Sequence, residues 1–132
     1  MSSEVEILIQ LRSQLVSFFD ELIESYPSEI EFVVYRIFIC DQLPIINVMQ
    51  YIVDKLVPLE DQVKQKDEKF FLNNNILFDN LGEKGKSKLN HFKNIWLSDI
   101  TDNEDKEVLW KWFSTFIYLA KAYSSCKEKI NN

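Results

Sequence analysis

Two stretches, one near each end of the chain, carry apolar residues around roughly 200° of a helical wheel, about twice the ~100° stripe of a one-sided surface helix. In the first, Val5, Ile7, Leu8, Ile9, Leu11, Leu15, Val16, Phe18, Phe19, Leu22 and Ile23 form the arc, opposite a wet face of Glu6, Ser13, Ser17, Asp20 and Glu24. In the second the arc is Val108, Leu109, Trp110, Trp112, Phe113, Phe116, Ile117, Leu119, Ala120 and Tyr123. So wide an arc has to be covered on more than one side, which makes both helices central to the expected fold. Their ends are marked as well. Ser3-Glu4-Val5-Glu6 is an S-x-x-E capping box, and Tyr26-Pro27 stops the first helix after Ser25. Thr101-Asp102-Asn103-Glu104 caps the last, which runs from about Asp102 to Lys129 with acids in its first turn and Lys127 and Lys129 in its last, as the helix dipole favours.

Between them, Ser28-Glu29-Ile30-Glu31 repeats the capping box and leads into Phe32–Cys40. The β-branched and aromatic content of that run would suit a strand, but the cap and the lack of a pairing partner favour a buried helix. Pro44 suits the first turn of a third helix, Ile45 to Leu56, which Pro58 breaks or kinks before a shorter helix from Leu59 to about Lys66. Asp67–Leu72 reads as one or two helical turns ended by Asn73-Asn74-Asn75, with Ile76, Leu77, Phe78 and Leu81 tethering this segment to the core. Gly82-Glu83-Lys84-Gly85-Lys86 holds both glycines and reads as a flexible loop. Ser87–Leu97 resumes as a helix with Leu89, Phe92, Ile95 and Trp96 on one side. With only 2 Gly and 3 Pro in 132 residues, a turn-rich sandwich or barrel is disfavoured. The expected fold is all-α: a single compact bundle of five or six helices over 1–132, with the first and last helices central.

The formal net charge is -6, with 15 basic and 21 acidic residues, an acidic balance that argues against coating a duplex. It is uneven: residues 1–62 hold 11 acids and 3 bases, and residues 63–93 hold 4 and 7. The basic island comprises Lys64, Lys66, Lys69, Lys84, Lys86, Lys88 and Lys93, interspersed with Asp67, Glu68, Asp79 and Glu83. Mixed charge of this kind marks a solvated face. The alternative is a nucleic-acid-associated accessory role, with Lys64, Lys66, Lys84, Lys86, Lys88 and Lys93 as phosphate contacts. The first residues, MSSEVEILIQ, are acidic where a secretory signal would be basic, and the most apolar stretch, Phe32–Val53, is interrupted by Arg36, Asp41, Gln42, Pro44, Asn47 and Gln50. These features, and the lack of a disulfide framework, imply an intracellular, non-secreted protein that does not insert in a membrane.

Chemistry-bearing patterns are few. His91 is the only histidine, set among lysines and expected at the surface. Cys40 and Cys126 lack a His or Asn signature, and Cys40 reads as a small buried hydrophobe. Gly82 and Gly85 fit neither phosphate-loop pattern. The carboxylates sit where caps and solvation account for them, and the Glu-x-x-His pairs of a helical di-metal site are missing. A catalytic, metal or cofactor site is therefore not expected, and the chain reads as a non-enzyme. Two features point to a partner. Arg12 projects about 40° from Leu8, near the middle of the apolar arc, where an arginine must snorkel, pair with an acid or meet a partner. Trp110 and Ile117 lie about 20° apart at the edge of the last helix's arc, beside Ser114 and Lys121, where an exposed tryptophan would be an interface anchor.

Asp67-Glu68-Lys69-Phe70-Phe71-Leu72-Asn73-Asn74, then L-x-x-F-x-x-I-W at Leu89–Trp96, then Lys106-Glu107-Val108-Leu109-Trp110-Lys111-Trp112-Phe113, succeed one another in an order that resembles small uncharacterised helical proteins of nucleocytoplasmic large DNA viruses. The resemblance covers about the second half of the chain. It implies a viral setting, in host cytoplasm or virion, and makes Phe70, Phe71, Trp96 and Trp110 pattern positions with core roles. It brings no activity and no site. The function expected from the whole sequence is a structural or protein-interaction role, presenting a helical surface to a protein partner or to a second copy.

Overall fold

The computed structural model describes residues 3–73, 83–98 and 101–131, which are helical apart from turns and contain no strand. The all-α expectation holds for these residues. The segments are α1 (Glu4–Ser25), α2 (Glu31–Arg36) running into a π-helical stretch (Ile37–Gln42), and α3 (Ile45–Tyr51) running into a second (Ile52–Leu56). After these come a 3₁₀ turn (Val57–Leu59), α4 (Glu60–Lys64), α5 (Glu68–Asn73), α6 (Glu83–Leu97) and α7 (Asn103–Asn131). They pack as two compact units: residues 1–57 with 115–132, and residues 58–114.

In the first unit, Ser3 caps α1 as its capping box requires, accepting the Glu6 amide at 3.1 Å. The expected wet face, Glu6, Ser13, Ser17, Asp20 and Glu24, is exposed. The wide apolar arc is not buried all round. Ile7, Leu11, Leu15 and Phe19, four residues apart, form the buried stripe of α1, while Val5 and Ile9 face solvent. Against this stripe pack α2 and α3, and the Phe18 ring meets Phe116 edge-on at 5.4 Å.

The second capping box is not used. Pro27 and Ser28 occupy the centre of a turn closed by the Glu29 amide on the Tyr26 carbonyl, 2.9 Å, so α2 starts from Ile30 without a side-chain cap. Buried Tyr26 and Phe32 secure that turn, their rings 5.8 Å apart. Nor is Phe32–Cys40 a buried helix: Phe32 and Cys40 are buried, but Val33, Val34, Ile37 and Phe38 are exposed. Pro44 stands at the N-cap of α3, close to its expected place.

In the second unit, α4 ends in a Schellman closure: the Lys66 amide reaches the Val63 carbonyl at 3.0 Å and the Asp67 amide reaches the Gln62 carbonyl at 2.9 Å. Lys66 sits at the left-handed position this closure demands, φ 53°, where glycine is usual. Asp67 then caps α5 through the Phe70 amide, 3.2 Å. Helix α6 begins at Glu83, so Gly85 lies inside a helix where a flexible loop was expected. Its last turn is closed on the Ile95 carbonyl, which accepts from the hydroxyls of Ser98 at 2.8 Å and Thr101 at 2.7 Å. Thr101 thereby serves α6, and α7 is capped instead by Asp102 and Asp105, each carboxylate accepting the other's amide, at 2.8 and 3.1 Å. The segment 74–82, with the expected tethers Ile76, Leu77, Phe78 and Leu81, lies outside the described residues.

The left-handed turn yields a prediction. Lys66→Gly relieves a backbone conformation that costs a side-chain-bearing residue about 1 kcal/mol or more, and the surface ion pair it gives up is worth less than that. Thermal unfolding of the variant should show a gain of roughly 0.5–1 kcal/mol; a loss would mean that the lysine side chain outweighs the turn.

Candidate interaction surface

The residues singled out from sequence do not come together as one site. Arg12 does not point into the core: its side chain is 54% exposed, and its guanidinium stands 3.8 Å from Asp41, itself half exposed. The acid partner, one of the readings for a core-side arginine, is thus supplied by the π-helical stretch after α2. Trp110 and Ile117 are not exposed edges. Trp110 is 6% exposed inside the second unit and Ile117 is 3% exposed inside the first, so neither offers a free side chain as an anchor. Conversely Trp112 and Phe113, expected at the centre of the arc, are only half-buried.

Of the lysines, Lys66 pairs with Glu107 at 2.5 Å, so that supposed phosphate contact is matched by an acid, while Lys64, 3.8 Å from Glu60, is matched only loosely. Lys93 is half-buried, and the side chains of Lys84, Lys86 and Lys88 lie outside the described residues. His91 is half-buried with its Nε2 covered, not the surface histidine expected. Cys40 is buried, and burial pushes its thiol up, away from the lowered value that activates a nucleophile. Among the described residues no group of three His, Cys, Asp or Glu side chains is placed to hold a metal ion.

Two arrangements carry more information than these candidates. The first lies in the second unit and joins the segments Asp67–Asn74, Leu89–Trp96 and Lys106–Phe113. Glu68 accepts from Trp96 Nε1 and, at 3.0 Å, from Lys106 Nζ, which also lies 5.3 Å from the Trp96 ring centre. Trp96 meets Trp110 edge-on at 5.4 Å, and Trp110 touches Phe71 at 5.7 Å and Phe113 at 5.9 Å. The indole bond first, and the ammonium bond second, hold the Glu68 carboxyl below its usual range. An acid held in its ionised form by these two bonds suits a structural clasp.

The second arrangement is in the first unit. Ile30 (74% exposed), Val34, Ile37 and Phe38 keep helical spacing on α2 and its continuation, with Val33 beside them and Ile46 exposed on α3. The buried Phe32 and Cys40 take the other side. Phe32–Cys40 is apolar but for Arg36 and so announces an apolar helix; what its sequence does not show is that only one side of it is covered. Among the described residues no single helix is long and apolar enough to cross a membrane, and Glu31–Gln42 with Ile45–Lys64 approach that only as a pair bent by 114°.

No known protein family, curated protein or solved structure matches the chain.

The clasp predicts a pH signature. With its folded-state pKa below the ordinary value of 4.5, Glu68 contributes stability that is complete above that value and is lost as pH falls through the lowered one. In tryptophan-fluorescence melts, the deficit of Glu68→Gln against the unmodified protein should therefore be largest near neutrality and shrink below about pH 4.5. An equal deficit at pH 7 and pH 3 would separate the carboxylate charge from the stability of this unit.

Proposed function

We propose that the protein is a non-enzymatic structural or interaction protein that acts by presenting an apolar helical surface to a protein partner or to its own copy. The observation that carries this reading is the exposed stripe Ile30, Val34, Ile37 and Phe38. Scattered exposed apolar residues are ordinary, but a run at helical spacing on one element is the mark of a contact surface. The surface differs from the one expected at Trp110 and Ile117, while the kind of function stays the same. The resemblance of Asp67–Asn74, Leu89–Trp96 and Lys106–Phe113 to large-DNA-virus proteins supports a viral setting for that role and rests on those patterns alone.

A photo-crosslinking amino acid at position 34, compared with one at Glu24 on the wet face of α1, tests the reading in cells producing the protein. Adducts with a defined protein, or with a second copy, should form from position 34 and not from position 24. Absence of any adduct specific to position 34 would overturn it.

A further inference from the structure

Accepting that the stripe is a contact surface, we infer that its occupant is a second copy of this chain, packed across α2 by a two-fold axis near Val34. The inference deepens the proposed function and rests on it.

Area is the first argument. The five residues Ile30, Val33, Val34, Ile37 and Phe38 together expose on the order of 500 Å², close to the apolar share of the ~800 Å² each partner contributes to a standard interface. A two-fold contact uses one patch twice, so a single self-complementary stripe is enough to close a dimer.

Charge sets the direction. The start of α2 carries Glu29 and Glu31, and beyond the far end of the stripe stands Arg12 beside Asp41. A parallel pair would set Glu29 and Glu31 against their own copies. Antiparallel packing with Val34 opposite Val34 places Ile30 opposite Phe38, and brings each acidic start within about a turn of the partner copy's arginine-bearing end. The 3.8 Å Arg12–Asp41 pair is loose and half exposed, which leaves Arg12 able to reach an acid on the second copy. Arg12 is thus assigned to the rim of this contact. A bilayer is the competing occupant of an apolar stripe, but residues 1–62 hold 11 acids and 3 bases, the wrong sign for an anionic membrane surface.

Light scattering on the full chain over a concentration series is the test. The expected result is twice the 15.7 kDa chain mass for the unmodified protein and monomer for Val34→Glu, whose dissociation constant rises about a hundredfold with its helical circular dichroism unchanged. In a Cys126→Ser background, Val34→Cys should oxidise to a disulfide-linked dimer, and Ile9→Cys, exposed on α1, should not. Arg12→Ala should weaken association several-fold and flatten its salt dependence. A monomer throughout, or a dimer indifferent to Val34→Glu, overturns the inference. Flotation of a monomer with neutral or anionic vesicles, abolished by Val34→Glu, overturns it in favour of a membrane. Adducts from position 34 with a different protein overturn it while leaving the contact-surface reading intact, whereas no adduct removes both.

Discussion

The first unit depends on burial along one stripe of α1. Ile7, Leu11, Leu15 and Phe19 are spaced by four, so each step turns the stripe about 40° around the axis, and it winds along the helix. The elements that cover it have to wind with it. At the ordinary 100° per residue, Cys40 would sit about 80° away from Phe32 on the next helix. The i→i+5 bonding of Ile37–Gln42, with the Leu43 amide on the Phe38 carbonyl at 2.9 Å, takes a smaller angular step and returns Cys40 to the same side as Phe32. The same side carries Arg36, whose Nε reaches Asp20 on the wet face of α1 at 2.8 Å. The residues left on the far side are the apolar stripe, so the π-helical turn and the exposed surface have one geometric origin.

The second unit is organised differently, by a polar group serving aromatic packing. Trp96 and Trp110 are too large to bury without a partner for each indole nitrogen or an edge-on neighbour, and Glu68 supplies the bond for Trp96. The carboxylate in turn keeps Lys106 close to the Trp96 ring, so one acid aligns a hydrogen bond, an ion pair and a cation–π contact. Asp67–Asn74, Leu89–Trp96 and Lys106–Phe113 are the segments that supply this clasp. Their spacing in the chain is what three helices need to bring one acid and two tryptophans together.

Local signals were legible wherever the physics is local. The Ser3 cap, the wet face of α1, the break at Pro27, Pro44 at a helix start and the short helix after Pro58 can each be read from a few neighbouring residues. Signals that need a partner were not. Ser28 has the same sequence context as Ser3, and only the turn closed by Tyr26 and Glu29 decides that it does not cap. Lys66 carries no mark of its left-handed backbone, because glycine or asparagine would ordinarily announce that position. Gly85 announces a loop and lies in a helix, since a helical glycine costs only about 1 kcal/mol and neighbours can absorb it. For the candidate surface, periodicity identifies apolar helices correctly but cannot say which arc is covered, so it sets Trp110 and Ile117 at an exposed edge and the exposed stripe in the core.

The two units also differ in chromophore. Trp96, Trp110 and Trp112 all fall in residues 58–114, and Tyr26, Tyr35, Tyr51, Tyr118 and Tyr123 all fall in the other unit. Nature has in effect labelled each half with its own dye. Excitation at the red edge of the absorption band, where tyrosine is dark, tracks one half alone, and tyrosine difference absorbance tracks the other. Whether the chain melts in a single cooperative step or in two is therefore written into its ultraviolet spectrum, with no added probe.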